Sequence, residues 1–179
     1  AEEDVPAISC AKLYHKSLFD TLRYPVGKLH EDEFTTYLAV YRAGKVVVTR
    51  EALYAYYQNP VGIMLSKWTP RKLHILEATE NQIAFARETG NLRLLKKAVR
   101  QYIYSTYEQI GFAKQWDDPG RGRLLKILRK KLREGLRQGK DFDLFPLCRE
   151  RSWMYEEAYP VKPFWWLYGK LHRGGERQE

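Results

Sequence analysis

Apolar positions recur at three- and four-residue spacing along most of this chain, the period of helices that bury one face. The clearest run is Leu92, Leu95, Val99, Tyr102, Ile103, Thr106 and Ile110, with an exit at Gly111 and then Asp117-Asp118-Pro119-Gly120. A second run places Leu124, Leu128 and Leu132 four apart, with Leu125 and Leu136 alongside. Glu31 to Arg42 carries acidic residues in its first turn and Phe34, Leu38 and Tyr41 on one face. Thr49 is placed to N-cap a following helix that stops before Asn59-Pro60, because the residue before proline is driven from helical backbone. Thr69-Pro70 starts another, with Pro at the first helical position, and Leu73, Leu76, Ile83 and Phe85 lead on to Gly90. A looser pattern of Ile8, Leu13, Leu18 and Leu22 predicts a helix from about Pro6 to Leu22, before a turn at Pro25-Val26-Gly27, and a short helix is expected around Asp143 to Tyr155. The β-branched run Val46-Val47-Val48 is too short and isolated to predict a sheet. The expected class is all-α.

Helix ends repeat. Arg42-Ala43-Gly44-Lys45-Val46 and Arg87-Glu88-Thr89-Gly90-Asn91-Leu92 each put a basic residue in the last turn, then a glycine suited to the left-handed C-cap, then a short hop to another helix. Leu132 to Asp141, with Gly135 and Gly139, reads as a weaker third copy. Repetition of helix–turn–helix units points to stacked hairpins that present binding surfaces.

Charge changes this picture at one place. The chain has 179 residues and a net charge of +9. Nine basic residues between Arg121 and Lys140 stand against Glu134 alone, so this window carries nearly all of the excess. With its leucine stripe it predicts an amphipathic helix whose outer face, Arg123, Lys126, Arg129, Lys130, Arg133 and Arg137, is strongly basic. Such a face can neutralise phosphates, anionic lipid or an acidic protein surface, or simply be solvated. Hydrophobic content of 44% and aromatic content of 14% argue for a packed core. No apolar run approaches the length of a membrane span, and a soluble chain is expected. Cys10 and Cys148 allow at most one disulfide and are expected to be reduced thiols. The chain begins at Ala1, as expected of a processed form whose targeting segment has gone.

Candidate chemistry is sparse. Gly27-Lys28, Gly44-Lys45, Gly139-Lys140 and Gly169-Lys170 are not followed by Ser or Thr as a phosphate loop requires, and Gly120-Arg121-Gly122-Arg123 lacks the preceding strand of a dinucleotide fingerprint. His15, His30, His74 and His172 are scattered with no metal-ligand pair at helical spacing, and His30-Glu31-Asp32-Glu33 is explained by helix capping. No Ser or Cys has a nucleophile's setting. Neither an active site, a cofactor nor a metal is expected.

The C-terminal stretch differs in kind. Pro160 and Pro163 oppose helix, and Phe164, Trp165, Trp166 and Tyr168 follow within five residues. Either this segment folds back on its own helices or it is an arm inserted into a partner's groove, since Trp and Tyr anchor interfaces. The expected organisation is one helical domain over 1–158 and an extended arm over 159–179.

The turns at Arg42–Val46 and Arg87–Leu92 resemble the turn between the two helices of a pentatricopeptide repeat, the first most closely, from Phe34 through Tyr57. The copies are degenerate, with inserted connections, over about the middle two-thirds of the chain. Most members of that family bind single-stranded RNA in organelles, one base per repeat. In size, basic charge and irregular repeats, the chain is more similar to the pentatricopeptide-like extra subunits of the mitochondrial ATP synthase catalytic head in euglenozoans such as trypanosomes. That resemblance implies stacked helical hairpins, a place in the mitochondrial matrix, attachment to the outside of the non-catalytic alpha subunits, and a structural or assembly role without chemistry. The other reading it leaves open is an organellar RNA-binding protein, with the Arg121–Lys140 helix on phosphates.

Overall fold

The structure, a computed structural model, describes residues 5–57, 59, 62, 66–142 and 149–159. Five α-helices form: α1 (Glu31–Arg42), α2 (His74–Glu88), α3 (Leu92–Lys114), α4 (Arg121–Lys140) and α5 (Arg149–Ala158). Short 3-10 turns occupy Lys16–Asp20 and Pro70–Leu73, the latter leading directly into α2. No strand is present among the described residues. The class is all-α, as the hydrophobic periodicity predicts.

The core is built where the strongest periodicity lies. Val99, Ile103 and Ile110 of α3 are fully buried between Leu76 and Ile83 of α2 and Leu128, Leu132 and Leu136 of α4. Each helix makes its main contacts with its neighbour in the chain, so α1 lies on α2 and α5 on α4. Gly135 sits where α4 meets α3 most closely. A Cβ there would lie 2.9 Å from Ile103 Cγ1 and 3.1 Å from Tyr102 Cδ1. Gly135 is therefore a packing glycine inside α4, and Gly139 is also helical and buried with no positive φ, so the weaker third copy lacks the left-handed glycine cap.

The Gly90 turn is real. Gly90 adopts φ +64°, Asn91 N–H donates to Ala86 O at 2.9 Å, and the Asn91 side chain caps α3 by accepting from Leu94 N–H at 3.0 Å. The Gly44 turn is not: Gly44 has no positive φ, and α1 ends by passing into extended backbone at Ala43 (φ −69°, ψ 125°). The helix expected from Thr49 also fails to form. Its capping bond exists, Thr49 Oγ1 accepting from Glu51 N–H at 3.2 Å, yet Leu53 N–H turns back to Glu51 O and residues 45–57 stay non-helical. A short helix draws its stability from a covered apolar face, and every residue from 44 to 57 is exposed.

Two smaller corrections follow from local geometry. Pro6 to Leu22 is irregular apart from the Lys16–Asp20 turn, because Ala11 is left-handed (φ 55°) and Tyr14, Phe19 and Tyr24 stack on each other instead of lining a helix face. The central helix runs through Gly111 to Lys114. The N-terminal segment is tied down by side chains of α1, as Thr36 Oγ1 donates to Ala7 O at 2.6 Å and Thr35 Oγ1 to Arg23 O at 3.3 Å. Cys10 is a free thiol, and Cys148 lies outside the described residues.

Candidate interaction surface

The basic helix divides into an inward-tied and an outward edge. Arg129 donates through Nε and Nη2 to Glu157 Oε1 at 3.1 and 3.0 Å, and Arg133 donates to Ala158 O at 2.8 Å while its guanidinium lies 5.7 Å from the Tyr159 ring. Both are half-buried against α5, where the carbonyl end of that helix attracts cations. Lys131 reaches the other way and pairs with Glu80 of α2. These three hold the fold together. Arg123, Lys126, Lys130 and Arg137 are exposed, Lys130 with only a long i,i+4 contact to Glu134 at 3.9 Å. Helical spacing puts these four on one ridge about 21 Å long, opposite the leucine stripe. Of the six basic positions read from the sequence, four form an open ridge and two are structural.

Burial shapes two titrating groups near this frame. Tyr102 donates its hydroxyl to Glu80 Oε1 at 3.0 Å, and burial first, then the Glu80 charge, pushes its pKa far up, so it stays a donor. With Lys131 on the same carboxylate oxygen, one Glu80 joins α2, α3 and α4. His74 opens α2 and accepts at Nδ1 from Leu29 N–H at 3.0 Å; burial and the nearby Lys28 lower its pKa. No group of His, Cys, Asp or Glu with metal-binding geometry occurs among the described residues, and no helix there is long and apolar enough to cross a membrane.

Another exposed apolar feature among the described residues is not singled out by the sequence pattern. Val46, Val47, Val48, Leu53, Tyr54, Tyr56 and Tyr57 all project into solvent within twelve residues, Val47 at 76% and Tyr57 at 83% exposure. Scattered apolar residues on a surface are ordinary, whereas seven exposed ones within twelve positions make this run a candidate interaction surface. Val46 and Val48 also border an open groove of about 640 Å³ with Val40 and Tyr41 of α1 and Leu94 of α3, leaving Val47 on the outside. The signal was present as the Val46-Val47-Val48 run. Alone, that run is too short and isolated to predict a sheet.

Phe164, Trp165, Trp166 and Tyr168 lie outside the described residues. Compared with known proteins, the chain matches no family model, no curated protein and no solved structure.

Proposed function

We propose that this chain is a non-catalytic accessory subunit of the mitochondrial F-type ATP synthase, seated on the outside of the catalytic head through the alpha subunits. The observation that carries the protein-partner part is the exposed apolar run Val46–Tyr57, whose seven large side chains gain from burial that the described residues do not provide. Arg50 and Glu51 leave that run with no net charge, which suits a protein surface better than a polyanion. The choice of ATP synthase rests on the resemblance of the Arg87–Leu92 turn and of the chain's size and charge, since Arg42–Val46 does not join two helices. In this reading the α2–α3 pair is one degenerate pentatricopeptide-like hairpin, the segment from Phe164 to Tyr168 is a second anchor, and nucleotide chemistry belongs to the head.

A second reading, organellar RNA binding, is favoured by one observation: the open ridge of Arg123, Lys126, Lys130 and Arg137, which can track phosphates. Affinity recovery of the tagged full chain from mitochondria, with nuclease treatment and mass spectrometry, separates the two. Nuclease-resistant alpha and beta subunits at near-integral ratios support the accessory subunit. Transcripts or ribosomal proteins that vanish on nuclease treatment reverse the order.

A further inference from the structure

The segment that leaves α1 has an unfilled backbone as well as unfilled side chains. Among the described residues, Val46, Val47 and Val48 make no backbone–backbone hydrogen bond. The chain leaves α1 at Ala43, bends at Gly44, and then runs from Lys45 to Arg50 without a further bend until Glu51. In between stand four consecutive β-branched residues, Val46 to Thr49, the type that fits a pleated sheet best. Their environments alternate, with Val46 and Val48 against the groove and Val47 outward, which is the two-residue period of a strand. A strand in this condition lacks only a neighbour, and the described part of this chain contains no sheet to supply one.

We propose that Val46–Thr49 docks by strand addition, pairing its main chain with the exposed edge of a β-sheet in a different protein, while Leu53, Tyr54, Tyr56 and Tyr57 cover apolar surface beside that edge. This rests on the reading of the chain as a protein-binding subunit and specifies how it binds. A sheet edge is the occupant because it meets both needs at once, offering unpaired N–H and C=O groups in line and pockets for alternate side chains. A groove that only buried the side chains would leave the valine backbone without a ladder partner.

The test uses the full chain with a photo-crosslinking residue in place of Val47, irradiated in intact mitochondria, and mass spectrometry to locate the joined peptide. The expected result is a crosslink to an edge strand of a sheet. If that sheet belongs to an ATP synthase subunit, both readings stand; if it belongs to another protein, strand addition stands and the ATP synthase assignment falls. Crosslinks to a helix, to RNA, to the same segment of a second copy, or to nothing overturn strand addition. Successive N–H groups point to opposite sides of a strand, so proline at one of positions 47 and 48 removes a ladder bond and at the other does not. Val47→Pro and Val48→Pro are therefore expected to differ in recovery of the crosslinked protein's complex by tenfold or more, with Val47→Thr within twofold of wild type. Equal recovery for both proline variants and wild type also overturns the proposal.

Discussion

Glycines differ most sharply at the residue scale, because four of them stand in different surroundings. Gly90 needs its left-handed φ, so Gly90→Ala is expected to cost about 1 kcal/mol, whereas Gly44→Ala, with ordinary φ and open space, stays within about 0.5 kcal/mol of wild type. Gly135→Ala drives a methyl into Ile103 and Tyr102 and is expected to lower stability by about 1–2 kcal/mol, while Gly122→Ala, facing open space in the same helix, raises it by about 0.5–1 kcal/mol. Urea unfolding of the four variants checks the set, and a destabilised Gly44→Ala would restore the turn that the sequence suggests. Tyr102→Phe removes a buried donor to Glu80 and is expected to cost about 1–2 kcal/mol by the same measurement. His74 sets a pH dependence. Its folded pKa lies below the ordinary 6.5, so the unfolded chain takes up the proton more readily. Its contribution is complete above pH 6.5 and is lost as pH falls towards and through the folded value. Thermal melts should show a loss over that acid range that His74→Gln reduces; an unchanged slope would exclude His74 as its source. None of these roles is legible in sequence except that of Gly90. Whether a glycine caps or packs depends on what stands opposite, and Ile103 is thirty-two positions from Gly135.

Helices that bury a face, the short α1 as well as the long α3, are readable in the sequence, and segments with nothing to pack on are misread. The α3 stripe and the leucines of α4 mark helices because each repeats over more than three turns, and the α2–α3 junction follows from Gly90-Asn91. Thr49 gave a valid cap signal, but capping contributes only about 1 kcal/mol and cannot support a helix whose apolar side has nothing to pack on. The basic face of α4 was legible as a charge pattern, while its division was not, since Glu157 and the carbonyl end of α5 select Arg129 and Arg133 by proximity. Brief trypsin digestion tests the exposed segment directly. Within residues 5–142 the first cuts are expected after Lys45 or Arg50, with α3 and α4 intact; earlier cuts within α4 would contradict the packing described.

At the scale of the whole molecule, consecutive helices pack in chain order, basic charge collects along one ridge, and an uncovered apolar run leaves the end of α1. The ridge and the run make different demands on a partner. If the run supplies most of the affinity, raising salt from 0.05 to 0.5 M, across which the screening length shrinks severalfold, should weaken partner binding much less than Leu53→Ser with Tyr57→Ser. The reverse order would shift the account towards a polyanion and make Arg123, Lys126, Lys130 and Arg137 the residues to change. The most direct measurement of the central claim is the mass of the nuclease-treated assembly formed when the purified chain is mixed with isolated ATP synthase catalytic head. The account predicts a head heavier by whole copies of this chain, with the increment abolished by Leu53→Ser and Tyr57→Ser in a chain that still unfolds like wild type. A head that gains no mass from the wild-type chain would contradict it.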